Sequence, residues 1–156
     1  MKDTIRTFIL CVVIVGVIVF GFKFAKGRAE ALIEPNDHSM DPVYPPGNHR
    51  MDTSLYTVSQ LSVGDVIAYW LSDSPDKYRV ARVVALEGDR VKIVQGALVV
   101  NSVNTPHKVG QVSLQAPEFR IPRGCVFVVA DDINYNAVDS MQIGPVPFCQ
   151  VIGRLK

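Results

Sequence analysis

Hydrophobic and polar positions divide this chain into a short apolar block and a long alternating remainder. From Phe8 to Phe22 the sequence reads FILCVVIVGVIVFGF, fifteen residues without a charge. Carried out to Ile5 and Ala25, the run takes in only Arg6 and Lys23, both near its ends, where a long basic side chain bends its charge toward the headgroups. About 20 helical residues at about 1.5 Å each cross a hydrocarbon core of about 30 Å. Residues 7–25 are therefore predicted as one membrane-spanning helix after an N-terminal flank, residues 1–6. The alternative is a cleaved secretory signal, with Lys2 and Arg6 as its charged start and Ala29-Glu30-Ala31 as a small-x-small cleavage site. Lys23, Lys26 and Arg28 crowd the space before that site and favour the retained anchor. Basic residues nearly balance on the two sides of the run, so charge alone leaves its orientation open.

Beyond the anchor, residues 26–34 read as a charged connector, and residues 35–156 as a single β-rich domain. Pro35 to Arg50 carries four prolines and a glycine, which forbid regular helix and predict an extended, turn-rich segment. Short β-like runs follow. Val66 to Trp70 comes after a Gly64-Asp65 turn, and Tyr78 to Leu86 is closed by Glu87-Gly88-Asp89. Val91–Val94 and Ala97–Val100 flank Gln95-Gly96 as a hairpin would. Cys125–Ala130 and Gln150–Leu155 are further strands, and Val103–Pro117 reads as loop with an edge strand.

Composition narrows the function classes. With 48% hydrophobic residues and a net charge of +1, the chain is neither disordered nor equipped with the basic face of a nucleic-acid binder. Ten prolines and eleven glycines suit a β domain with many turns better than a helical bundle. Cys11 lies in the apolar run as a small hydrophobe. Cys125 and Cys149 are expected as free thiols, or as a disulfide if the domain faces an oxidising compartment. No CxxC or Cys/His cluster is present, so no metal or other cofactor is expected.

The candidate chemistry lies in an ordered set of short blocks. His38-Ser39-Met40-Asp41-Pro42 comes first, then Val63 to Tyr69, then Ala81-Arg82-Val83-Val84-Ala85-Leu86-Glu87-Gly88-Asp89. Gln95 to Asn101, Asp139-Ser140 and Ile152-Gly153-Arg154 follow. Each is weak alone. Together, in this order, they resemble type I signal peptidase, a membrane-anchored serine endopeptidase that removes signal peptides from exported proteins. The likeness runs from about Pro35 to Arg154. It implies a mainly β, signal-peptidase-like catalytic domain with one N-terminal transmembrane helix and a serine–lysine dyad. The short stretch between Asp89 and Cys125 matches the compact members of that family.

By this resemblance Ser39 is the nucleophile, and its backbone N–H donates to the oxyanion. The family's second donor comes from the position of Asp37, an anionic residue unsuited to a developing negative charge. Met40, Arg82, Gly88, Asp89, Asp139 and Ser140 fall in the blocks that support the site. Val83, Val84, Ala85 and Leu86, together with the segment before Ser39, would supply the edges for an extended substrate. The departure is at the base. The position of the family's lysine is Ala81, which has no titratable group, and a serine hydroxyl is a weak nucleophile without one. The hydroxyl residue that often supports the lysine is matched by Ala137, and the start of the last block reads Asp131-Asp132-Ile133-Asn134. On an extended strand Arg79 lies about 7 Å and Lys77 about 13 Å from position 81, and arginine stays protonated. Of the three histidines, His49 and His107 have no predicted place near Ser39, and His38 is the nearest substitute.

Two functions follow. One is a signal-peptidase-type endopeptidase with activity impaired by the missing lysine. The other is a non-catalytic relative that holds signal-peptide regions by main-chain pairing, which needs no dyad. Either implies signal peptides of exported preproteins and the lipid bilayer as partners, with no nucleic acid. An active signal peptidase or the translocation machinery is a further candidate partner. Either places the β domain on the outer, extracytoplasmic face of the membrane.

Overall fold

The computed structural model describes residues 29–71, 74–94, 97–108, 117–132, 134–135 and 137–156, together with position 14. The expected anchor, residues 7–25, and Cys11 lie outside this set apart from Ile14. Among the described residues no helix is long and apolar enough to cross a membrane.

The described chain is mainly β. Its strands are β1 (Ala29–Ile33), β2 (Gly47–Asp52), β3 (Val66–Leu71), β4 (Ser74–Ala85), β5 (Arg90–Val94), β6 (Ala97–Val100), β7 (Val103–Lys108), β8 (Phe119–Arg120), β9 (Cys125–Val129), β10 (Val146–Pro147) and β11 (Val151–Leu155), with a short α-helix, α1 (Ser140–Ile143), and 3-10 turns at Val58–Gln60 and Phe148–Gln150. Seven strands form one sheet in the order β1-β2-β11-β3-β4-β9-β10, and four form a second in the order β7-β6-β5-β8. Adjacent strands pair antiparallel throughout.

The central strand β3 explains the layering. Its sequence VIAYWL is buried at every position but Trp70, so both of its faces must be covered. Alternate residues point to opposite sides. Ile67, Tyr69 and Leu71 join Ala81, Val83, Val126 and Val128 in one apolar cluster. Val66 and Ala68 join Val80, Met40, Met51 and Leu155 in another. The end of β4 turns Val84 and Ala85 into a third cluster, shared with Val91, Ile93, Leu98 and Ile121 of the second sheet region. Gly153 marks a close approach of β11 to β2: a Cβ there would lie 2.7 Å from the Asp52 carbonyl oxygen and 2.7 Å from the Met51 side chain.

One expectation needs correction. The connector drawn over residues 26–34 is in part the edge strand β1, in register with β2 from Ala29↔Met51 to Ile33↔Gly47. Its charged Glu30 is one of the outward positions of a two-residue period whose inward positions, Ala31 and Ile33, are buried. The alternative cleavage site, Ala29-Glu30-Ala31, is thus part of the sheet. The last residues of the proline-rich segment, expected to be extended, begin strand β2. The tip of the β5–β6 hairpin, Gln95-Gly96, lies outside the described residues.

Although β1 and β4 are far apart in strand order, they meet in space. The Tyr78 hydroxyl of β4 donates to the Leu32 carbonyl of β1 and accepts from the Leu32 N–H, both at 2.7 Å. The sheet therefore curls until its β1 edge faces β4. On that side β9 pairs with β4 only from Arg82 to Ala85. Residues 77–81 of β4 consequently have β3 on one side and no strand on the other among the described residues.

Candidate active site

Ser39 sits in the turn-rich segment that leaves β1. Met40 anchors it, with no exposed surface, in the apolar cluster around Val80 and Ala68. Main-chain bonds fix the turns on either side: Asp37 N–H donates to the Glu34 carbonyl at 2.9 Å and Tyr44 N–H to the Met40 carbonyl at 2.9 Å. Ser39 is itself 3% exposed, and its carbonyl accepts from the Asp132 N–H at 2.9 Å.

That last bond is held from β4. Arg82 donates from Nε to Asp131 Oδ1 at 2.7 Å and from Nη2 to Asp131 Oδ2, and from Nη1 to the Gly64 carbonyl at 2.7 Å. The planar guanidinium suits this two-pronged grip, and the same hydrogen bonding to Asp131 raises its already high pKa. Arg82 fixes Asp131, the next residue fixes Ser39, and position 39 is clamped from behind.

The cleft in front of Ser39 has a volume of about 110 Å³. Its walls are Glu34, Asn36 and Asp37 from the Ser39 segment, Arg79 and Val80 from β4, and Tyr135, Ala137, Val138 and Asp139 from the last block. A second hollow of about 210 Å³ shares Glu34, Asp37, Arg79 and Val80 and extends to Leu32 and Lys77. The two make a groove along the unpaired side of β4.

Asp139 is buried and caps α1, accepting from Met141 N–H at 2.9 Å and from Ala130 N–H at 3.0 Å. Burial raises its pKa, and those two N–H groups offset part of the rise. Ser140 is buried too, and its hydroxyl accepts from Val128 N–H at 2.9 Å. Both tie the last block to β9. Among the described residues no cluster of metal-ligating side chains is present.

The expected oxyanion donor is already engaged. Ser39 N–H donates to the Asp37 carboxylate at 3.0 Å, a local side-chain-to-backbone bond of the kind that aspartate forms with a donor two residues on. The Ser39 hydroxyl makes no hydrogen bond to any described residue. Ala81, 1% exposed, faces the apolar cluster of Ile67 and Tyr69 on the far side of β4 from Val80.

His38 does not reach Ser39's side. Its half-exposed ring bonds Asp41 through Nδ1 at 2.8 Å, because neighbouring side chains diverge and Asp41 lies one turn on. His49 bonds the Pro45 carbonyl at 2.6 Å and packs edge-on to Tyr44. The backbone of His107 lies in β7, in the second sheet. Gly88 and Asp89 lie apart from the cleft, at the seam with the second sheet. Gly88 adopts a φ of 86° that favours glycine, and its carbonyl accepts from Arg120. Asp89 accepts from Leu86 N–H and from the Asn101 amide.

The strand stretch expected as a substrate edge is covered. Val83, Val84 and Ala85 are buried, and β9 occupies that side of the strand, while Leu86 N–H is spent on Asp89. The open stretch is the preceding one, residues 77–81. Periodicity could not distinguish the two halves of β4, since the difference is only where β9 ends. Tyr69, Tyr135 and Glu34 were not singled out by sequence. Tyr69 carried a signal: a phenol inside a buried apolar run needs a partner for its hydroxyl. The thiols of Cys125 and Cys149 are free.

Comparisons with known proteins place these observations among relatives. A family model described as signal peptidase, peptidase S26, matches residues 1–156. Thylakoidal processing peptidase 1, chloroplastic, of Arabidopsis thaliana is 34% identical over 77 residues, 48% of this chain and 22% of that protein. Mitochondrial ATP-independent inner membrane protease subunit 1b of the same organism is 30% identical over 94 residues, 60% of this chain and 47% of that protein. The chain thus spans less than half the length of these two curated relatives. The crystal structure of a signal peptidase I from Enterococcus faecalis aligns with a TM-score of 0.49 at 21% identity, covering 62% of this chain and 97% of that one.

Proposed function

Because this chain belongs to the signal peptidase family, peptidase S26, we propose that it is a membrane-anchored, signal-peptide-binding member whose hydrolysis at Ser39 is impaired. The bound segment is an extended stretch of an exported preprotein. It pairs its main chain with residues 77–81 of β4 and lies in the groove that ends at Ser39. The anchor is residues 7–25, and the β domain lies on the outer face, where signal peptides emerge from the translocation machinery.

One observation carries the reading: no described group is hydrogen-bonded to the Ser39 hydroxyl to take its proton, and position 81 offers only a methyl group. An alcohol attacking a carbonyl without a base forms an oxocation that reverts faster than it proceeds. Asp37 adds to the effect, since its carboxylate holds the N–H that would otherwise meet the oxyanion. Binding through main-chain pairing depends on neither group.

Asp139 favours a second reading, an endopeptidase with a carboxylate base. It lines the same cleft as Ser39, and its raised pKa makes it a stronger proton acceptor than an exposed aspartate. Detergent-solubilised full-length protein incubated with a photoreactive preprotein separates the two. Crosslinking without cleavage, equal in wild type and Ser39→Ala, supports the binding reading. Cleavage abolished by both Ser39→Ala and Asp139→Asn supports the carboxylate base. Absence of both crosslinking and cleavage overturns both.

A further inference from the structure

Tyr69 has no exposed surface and lies mid-strand in β3. Its hydroxyl donates to the Val138 carbonyl at 2.8 Å. Val138 is flanked by Ala137 and Asp139, and all three line the Ser39 cleft. The bond therefore ties the interior of the sheet to one wall of the cleft. Burial lifts the phenol's pKa far above its usual value, and the carboxylates of Asp139 and Asp37 push it the same way, with Arg79 opposing. The Val138 that it bonds lines the cleft, so the hydroxyl lies close beneath that wall. It stays protonated, a donor and never a base.

Ala81 is its neighbour. The β3–β4 register pairs Ile67 with Ala81 and Tyr69 with Arg79. Tyr69 and Ala81 are thus diagonal partners on one face, and both belong to the same buried cluster. A long side chain at position 81 would run beside the Tyr69 ring. It would enter the buried cluster that the Tyr69 ring already occupies.

We propose that Tyr69 and Ala81 are a coupled pair, in which the phenol of Tyr69 replaces a long side chain at position 81 as the strut holding the Ala137–Asp139 wall. Tyr69 is then a positioning residue, and its hydroxyl and the methyl of Ala81 must be exchanged together. The idea rests on reading Ala81 as the place of the family's base, but its test does not depend on cleavage.

The test is a stability cycle on the full-length protein in detergent: wild type, Ala81→Met, Tyr69→Phe and the double variant. Amide hydrogen exchange over residues 137–140 is the second readout. Ala81→Met is expected to lower the unfolding midpoint by about 5 °C when Tyr69 is present, as overpacking does in a domain of this size. In the Tyr69→Phe background it is expected to lower it by less than half as much. Tyr69→Phe alone should keep the fold and speed exchange at 137–140 about five-fold, the loss of one neutral hydrogen bond. Equal shifts for Ala81→Met in both backgrounds, or unchanged exchange in Tyr69→Phe, would overturn the proposal. Should Ala81→Met fail to fold, Ala81→Val completes the same cycle with a smaller intrusion. Preprotein crosslinking on the same four proteins reports separately on the binding reading, so either idea can fail without the other.

Discussion

The seam between β2, β11 and β3 and the cleft before Ser39 both gather charged side chains, and they treat them differently. At the seam every acid has a partner. Asp52 accepts from the Ser54 hydroxyl and N–H and pairs with Lys156 at 3.0 Å, while Arg154 reaches Asp65 at 3.1 Å and Asp52 at 3.9 Å. In the cleft Glu34, Asp37, Asp139 and Arg79 share one wall system, yet among the described residues none of them forms an ion pair. The seam uses its charges to hold strands together. The cleft leaves Arg79 outside any such pair and commits Asp37 and Asp139 only to backbone N–H groups. A surface with uncommitted charge beside an unpaired strand is one that can still gain from a ligand, whereas the seam has little left to offer.

Arg82 is the place to break that contrast, because it serves the frame while touching the site's support. Arg82→Ala leaves Asp131 without its partner in a largely buried position. We expect a loss of about 2–3 kcal/mol in urea unfolding, with faster amide exchange at Asp132, whose N–H holds the Ser39 carbonyl. Arg79→Ala should do the reverse. Stability changes by less than about 0.5 kcal/mol, while affinity for a signal-peptide fragment, read by fluorescence anisotropy, falls about five-fold, or about 1 kcal/mol. Asp37→Ala releases the Ser39 N–H and removes a negative charge. Affinity for the same fragment should rise about three-fold as a peptide carbonyl takes that donor.

The smallest effect is in pH dependence, where the two regions carry opposite signs. At the seam Asp52 is held well below the usual carboxylate range, first by the Ser54 hydroxyl, then by the Ser54 N–H and Lys156. The native state there binds fewer protons than the unfolded one, so its contribution is full above about pH 4 and is lost on acidification. In the cleft burial raises Asp139, so the native state binds more protons. Its contribution is full below about pH 4 and is lost as pH rises through the raised value. Urea midpoints measured from about pH 3 to pH 7 should show the acid limb flattened in Asp52→Asn and the decline toward neutrality flattened in Asp139→Asn.

Much of this was legible along the chain, and the reasons differ by element. The runs Val66–Trp70, Val91–Val94 and Ala97–Val100 announced β3, β5 and β6 through apolar content, and glycine turns marked their ends. The order of short blocks identified the family, because a block pattern survives in one dimension. The proton problem was legible too, since alanine at position 81 lacks a titratable group wherever it lies. Strand β1 was hidden by Glu30 and the charged residues just before it, and its two-residue period became evident only beside β2.

The sequence by itself determined the β character, the family and the chemical poverty of position 81, all properties of residue types in order. Tertiary structure alone decided that the open edge of β4 ends at Ala81 instead of starting after it, that His38 turns to Asp41, and that the Ser39 N–H belongs to Asp37. It also decided that Tyr69, opposite Arg79 in the β3–β4 register, reaches a carbonyl 69 positions away. Such choices depend on where one strand stops beside another and which of several nearby partners is close enough to bond, and hydrogen bonding acts over distances that the linear order of residues does not contain.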